Sequence, residues 1–280
     1  MMNYNKSIFY MIISALAFAL MNLFVKYLEG FSVYQIVFFR AIGTLAFTIP
    51  LILKQKIPFL GTQKKLLLIR AVVGVISLTS FFLSLNHLAV GTAVSLRYTA
   101  PIFAAILAVF LLKEKIKPLQ WILFLIAFSG VLIIKGFGEQ INTLGLVLIF
   151  VSAISNGLVF VLIRKIGKQD SPLVIINYFM LTALIFGGLM SISNWKTPSQ
   201  IEWLILLSLG VFGYVGQLYM TKAFQTGKTS IVAPFKYVEV IFTIAVSTFW
   251  FLENYSLMVL LGIAIIVIAL ISNTLYASKK

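Results

Sequence analysis

The chain contains no cysteine, which removes a disulfide framework, a thiolate nucleophile and any cysteine-based metal site. Its single histidine, His87, rules out a multi-histidine site and reads as a wet residue at the outer end of an apolar segment. Charge is scarce as well: 10% of residues are charged, against about 25% in an ordinary soluble domain, and only seven are acidic. A soluble fold of 280 residues could not cover its surface with so few charges. Functional signatures are also missing. There is no GxxxxGK loop ending in Ser or Thr, so direct ATP drive is not expected. There is no HExxH, no GxSxG and no pair of aspartates inside the apolar segments. No enzymatic activity, cofactor or metal is expected from such a chain.

What is present is hydrophobicity, at 61% of residues and a mean hydropathy of +1.07. That is the composition of an integral membrane protein. The net charge of +15 does not indicate a nucleic-acid partner, because the cations stand singly or in short clusters between apolar segments. A crossing needs about 20 mostly apolar residues. Ten segments qualify: 7–27, 32–53, 66–86, 92–112, 118–135, 142–163, 172–192, 202–224, 229–251 and 256–276. The first resembles a signal peptide faintly, but it runs on to about Val25 without a small-residue cleavage site and reads as a retained span. Lipid leaves only helices or closed barrels, and a barrel would show shorter, alternating segments. The expected fold is therefore all-α.

Loop charges orient the chain. Alternate connections carry Lys6; Lys54, Lys56, Lys64, Lys65 and Arg70; Lys113, Lys115 and Lys117; Arg164, Lys165 and Lys168; Lys222 and Lys228; and Lys279 and Lys280. The opposite set holds Lys26, Lys135 and Lys196. The positive-inside rule then makes both termini cytoplasmic, in the cytoplasmic (inner) membrane. The lipid bilayer and a small-molecule substrate are the expected partners, with the chain a monomer or homodimer.

A shift of 139 positions reveals an internal echo. It pairs SLRYTAP (95–101) with PFKYVEV (234–240), Arg97 with Lys236, Tyr98 with Tyr237, Glu114 with Glu253, Lys26 with Lys165 and Ser32 with Ser171. Each half holds five spans, an odd number, so the second half enters the membrane from the opposite side. The expected units are 7–135 and 142–276, two inverted five-helix repeats around a central cavity. The fourth span, GTAVSLRYTAPIFAAILAVFLLKEK, and its counterpart GKTSIVAPFKYVEVIFTIAVSTFWFLEN resemble the drug/metabolite transporter superfamily, specifically its EamA-type ten-span members. The likeness covers essentially the whole chain. It implies a helical basket lined by spans 1–4 and 6–9, with spans 5 and 10 outside.

Several polar residues sit inside apolar segments, where each carries a cost. Arg40 lies roughly 12 Å from the outer end of its span. A central Arg costs at least about 2.5 kcal/mol, so it must pair with a carboxylate or helix-end carbonyls, bind substrate, or snorkel. Arg97 lies roughly 7 Å deep, shallow enough to snorkel, but its pairing with Lys236 favours a shared pathway. Substrate-binding candidates are Arg40, Arg97, Tyr98, Lys236, Tyr237, Asn156 and Gln217. Glu239, one helical turn after Lys236, either neutralises that lysine or couples protons; its repeat counterpart is Ala100. Pro101 is expected to bend or gate its helix. Together these point to a secondary transporter, an exporter or exchanger of small organic metabolites such as amino acids or organic anions, working by alternating access. The competing readings are a non-transporting receptor or assembly protein and an intramembrane enzyme.

Overall fold

The computed structural model describes residues 4–28, 30–114, 116–137, 142–232, 235–236, 238–250, 252 and 254–278. Regular structure among these residues is entirely helical. The helices are α1 (Tyr4–Tyr27), α2 (Val33–Lys54), α3 (Lys64–Ser84), α4 (Val90–Arg97), α5 (Ala100–Leu112), α6 (Pro118–Phe137), α7 (Thr143–Ile166), α8 (Pro172–Ser191), α9 (Gln200–Thr226), α10 (Thr229–Val232), α11 (Val238–Trp250) and α12 (Leu257–Ser278). Local sequence explains their starts. Asn142 caps α7 by accepting from Gly145 N, Ser171 caps α8 ahead of Pro172, and Ser199 with Glu202 forms a capping box on α9. Among the described residues, six helices are long and apolar enough to cross a membrane.

The expected spans 92–112 and 229–251 are not single helices. The first is interrupted between Arg97 and Ala100. Pro101 has no N–H to donate to the Arg97 carbonyl, and its ring crowds that carbonyl, so the helix ends there and restarts. In the second, the described residues between Val232 and Val238, Phe235 and Lys236, are not part of an α-helix. Both restarted helices, α5 and α11, are 13 residues long. Each is followed by a left-handed residue: Lys113, directly after α5, has φ 54°, and Leu252, past the end of α11, has φ 53°. Those left-handed residues stand 139 positions apart.

Packing follows an exchange pattern. Helix α1 lies along α9 and α3 along α7; α2 lies along α8; α6 and α12 pack chiefly on each other. Among the broken spans, α4 packs on α11 and α10 on α5. Glycines set the closest approach: a Cβ on Gly43 would lie 2.6 Å from the Cα of Gly210, so α2 and α9 touch backbone to backbone. The outer surface is apolar, with Leu125, Ile185, Leu204 and Phe249 exposed, whereas Arg40 and Arg70 are among the largest fully buried side chains. This inverts the soluble pattern, as a lipid solvent requires.

The ends of the bundle are tied by polar contacts. At the lysine-rich end, Asp170 accepts from Thr62 N, Thr62 Oγ1 and Gln63 N, and Gln225 donates to the carbonyls of Gly167 and Asp170. At the other end, Gln35 and the Lys196 backbone exchange two hydrogen bonds, and Lys196 Nζ pairs with Glu202 at 2.8 Å. Each contact joins segments that alternating crossings would put on one side.

Candidate functional site

A cavity of about 30 Å³ lies among α1–α4 and α7–α9. Four cations line it: Arg40 from α2, Arg70 from α3, Arg97 at the end of α4, and Lys236 between α10 and α11. Asn22 of α1, Asn156 of α7 and Gln217 of α9 complete its polar wall. An adjoining space of about 10 Å³ shares Arg97, Asn156 and Lys236 and adds Tyr98, Pro101 and Glu239. A water occupies roughly 30 Å³ of liquid, so this space is on the scale of a water or two between its polar groups.

The cations rest on aromatic rings more than on acids. The Arg97 guanidinium lies 4.1 Å from the ring centre of Phe81, that of Arg70 4.4 Å from Phe179, and that of Arg40 5.8 Å from Phe18. Lys236 Nζ lies 5.0 Å from Phe18 and 5.6 Å from Phe160. A ring face stabilises a guanidinium while leaving its in-plane N–H edge open. Arg70 Nη2 donates to Gln217 Oε1 at 3.1 Å. The Nε atoms of Arg40, Arg70 and Arg97, and Nη1 of Arg70, have no hydrogen-bond partner among the described residues. Glu239 is the one carboxylate at the site among those residues. It is 3% exposed, accepts from Asn22 Nδ2 at 2.9 Å and faces Lys236 at 3.8 Å. Its place in the first turn of α11 suits a negative charge.

Of the residues singled out by sequence, Arg40, Arg97, Asn156, Gln217 and Lys236 meet in the main cavity, and Tyr98, Pro101 and Glu239 border the adjoining one. Tyr237 lies outside the described residues. Arg40 makes no hydrogen bond or ion pair to a described carboxylate or helix end, and Arg97 lies over Phe81 at the cavity rather than reaching for headgroups. One assignment is overturned. Arg70, grouped by sequence with the loop cations, is 1% exposed and lines the cavity. It is seven residues into α3, roughly 9 Å from the helix start, and Lys64 and Lys65 had already supplied that loop's charge. Asn22 was also missed as a partner of Glu239, because the two stand 217 positions apart in the chain. Other intramembrane polar residues pair across helices instead: Ser14 with the Gly216 carbonyl, Ser77 with Ser152, and Thr48 with Asn177; Tyr178 donates to the Leu60 carbonyl in the α2–α3 link.

The model of the EamA-like transporter family matches residues 5–136 and 143–275. A pseudopaline exporter, CntI of Pseudomonas aeruginosa, is 28% identical over 266 residues, covering 93% of each chain. Solute carrier family 35 member G1 of Homo sapiens is 26% identical over 84% of this chain and 69% of its own. An S-adenosylmethionine uptake transporter of Rickettsia conorii is 27% identical over 88% of this chain and 84% of its own. A crystal structure at 15% identity superposes with a TM-score of 0.80 over 99% of this chain and 100% of the other, a likeness of fold alone.

Proposed function

Because this chain belongs to the EamA-like transporter family, whose members are membrane transporters of small molecules rather than enzymes, we propose that it is a secondary active transporter of amino acids or organic anions. The observation that carries this reading is the buried cavity lined by Arg40, Arg70, Arg97 and Lys236. Intramembrane cations are expensive and are retained where they serve a pathway. Their open N–H edges are suited to anionic oxygens.

The mechanism is alternating access between two inverted halves of five spans each, in the cytoplasmic membrane, with both termini inside. Several features support it: the equivalent interruptions before α5 and α11, the left-handed residues 139 positions apart, and the exchange pattern of helix packing. Arg40, Arg97, Lys236, Asn156 and Gln217 hold the substrate; Tyr98 walls the adjoining space; the break before Pro101 is a gate element. Glu239, balanced by Lys236 and Asn22, couples protons. Relatives are named for export in one case and uptake in another. Direction is therefore read from flux in liposomes loaded on one side and then on the other. The same assay tests the whole reading: Arg97→Ala and Lys236→Ala should abolish movement while folded protein is recovered at the usual level. Loss of folded protein in both would mean these cations only hold the bundle together.

A further inference from the structure

The chamber's charge is unbalanced. Four cations line it, against Glu239 as the carboxylate among the described residues, a surplus of three (4 − 1). A buried charge without compensation is costly. A zwitterionic amino acid brings no net charge and leaves the surplus as it was. Two carboxylates reduce it to one, and three cancel it.

The two broken spans also differ at one equivalent position. In the second half, Glu239 places a carboxylate at the start of α11, beside Lys236 and Asn22. In the first half, the residue 139 positions earlier is Ala100, α5 has no acid in its first turn, and Ala100 lines the adjoining space together with Arg97, Asn156, Lys236 and Glu239. That half therefore has the cation, the amide and a buried helix start but no carboxylate of its own; Glu239 and Lys236 reach the same space from the second half. The unpartnered, deeply buried edges of Arg40 and Arg70, at 2% and 1% exposure, line the same chamber. A helix start favours negative charge, and guanidinium edges favour carboxylate oxygens.

We infer that the chamber accepts an anion bearing at least two carboxylate groups, one of which binds at Arg97, Asn156 and the start of α5, in the place that Glu239 fills in the other half. The inference rests on the transport reading and on the equivalence of the halves. The remaining carboxylate meets the edges of Arg40 and Arg70.

The test is ligand-induced thermal stabilisation of the purified full chain by succinate, citrate, L-alanine, acetate and sulfate, followed by flux in liposomes. Succinate and citrate should bind at least about tenfold more tightly than L-alanine or acetate, because each charge-assisted pair lost costs on the order of tenfold or more. Sulfate binding as tightly as succinate would overturn the inference, since charge alone would then suffice. Arg97→Gln should weaken succinate by roughly 10- to 100-fold. Ala100→Glu supplies the missing carboxylate internally and should lose succinate-induced stabilisation, whereas the size-matched Ala100→Gln should keep more of it. If both Ala100 variants fail to fold, Asn156→Leu together with Arg97→Gln decides, and wild-type succinate affinity in that pair refutes the placement. Exchange of L-alanine without binding of either polycarboxylate would sink this inference and leave the transport reading standing. Succinate binding with no solute moved under any gradient would do the reverse.

Discussion

Asp170→Ala should destabilise the protein more than almost any other single change at its lysine-rich end. Asp170 is 3% exposed and acts as a cap donated from another segment. Its Oδ1 accepts from Thr62 N at 2.6 Å and Thr62 Oγ1 at 3.1 Å, and its Oδ2 accepts from Gln63 N at 3.0 Å. Gln63 is the N-cap of α3 but makes no side-chain cap of its own; its amide donates instead to the Ile166 carbonyl. Bonds to a charged acceptor contribute roughly 1.5–3 kcal/mol each, and a lost cap costs about 0.5–2 kcal/mol. The terms overlap, and donors at a helix end recover some bonding to water, so a net loss of about 2–4 kcal/mol is expected. Gly61 fits the same arrangement: it has φ 61°, and a Cβ there would lie 2.6 Å from Asp170 Oδ1. Asp170→Asn should cost less than Asp170→Ala, because one acceptor survives while the amide must turn a donor toward a donor. Unfolding in detergent, followed by helical circular dichroism, measures both. An Asp170→Ala variant within about 0.5 kcal/mol of wild type would refute the idea that this carboxylate ties α3 to the α7–α8 link.

Gly210→Val should be strongly destabilising. A Cβ there meets Gly43 Cα at 2.4 Å, and with backbone on both sides the helices must part, at about 1–3 kcal/mol or more; thermal unfolding checks it. Lys113→Gly should stabilise by about 1 kcal/mol, since Lys113 holds a left-handed φ of 54° at the end of α5 where glycine is free of strain. Burial pushes the carboxyl of Glu114, in the link after α5, above its ordinary value, against the pull of Arg164 and Lys228. Its contribution to stability is therefore fully present below the ordinary glutamate value and is lost as pH rises through the raised one. Glu114→Gln should be the more stable protein at neutral pH and should flatten that part of the pH–stability curve; an unchanged curve would exclude Glu114 as its source.

Much of this was legible in the chain because the penalties are large. A lone Arg40, Arg97 or Lys236 in an apolar run is conspicuous since lipid offers it nothing. The echo between SLRYTAP and PFKYVEV marked both interrupted spans. The interruptions themselves escaped notice because hydropathy averaged over a window does not register one missing hydrogen bond. Pro101 signalled a bend, not a new helix start at Ala100. Arg70 was hidden by its nearness to the helix start: about one and a half turns beyond Lys64 and Lys65, a cation looks like loop charge until α8 and α9 are packed against it. The pairing of Asn22 with Glu239 depends on α1 meeting α11, a contact no local pattern carries.

The central claim is that the chamber's cations carry an anionic solute across the membrane. It is tested most directly by counterflow in liposomes containing the purified protein, with labelled succinate outside and unlabelled succinate within. Transient accumulation of label in wild type, absent with Arg97→Ala and Lys236→Ala at equal folded protein, is the predicted result. No accumulation of succinate, citrate or any amino acid by a folded wild-type protein would contradict it.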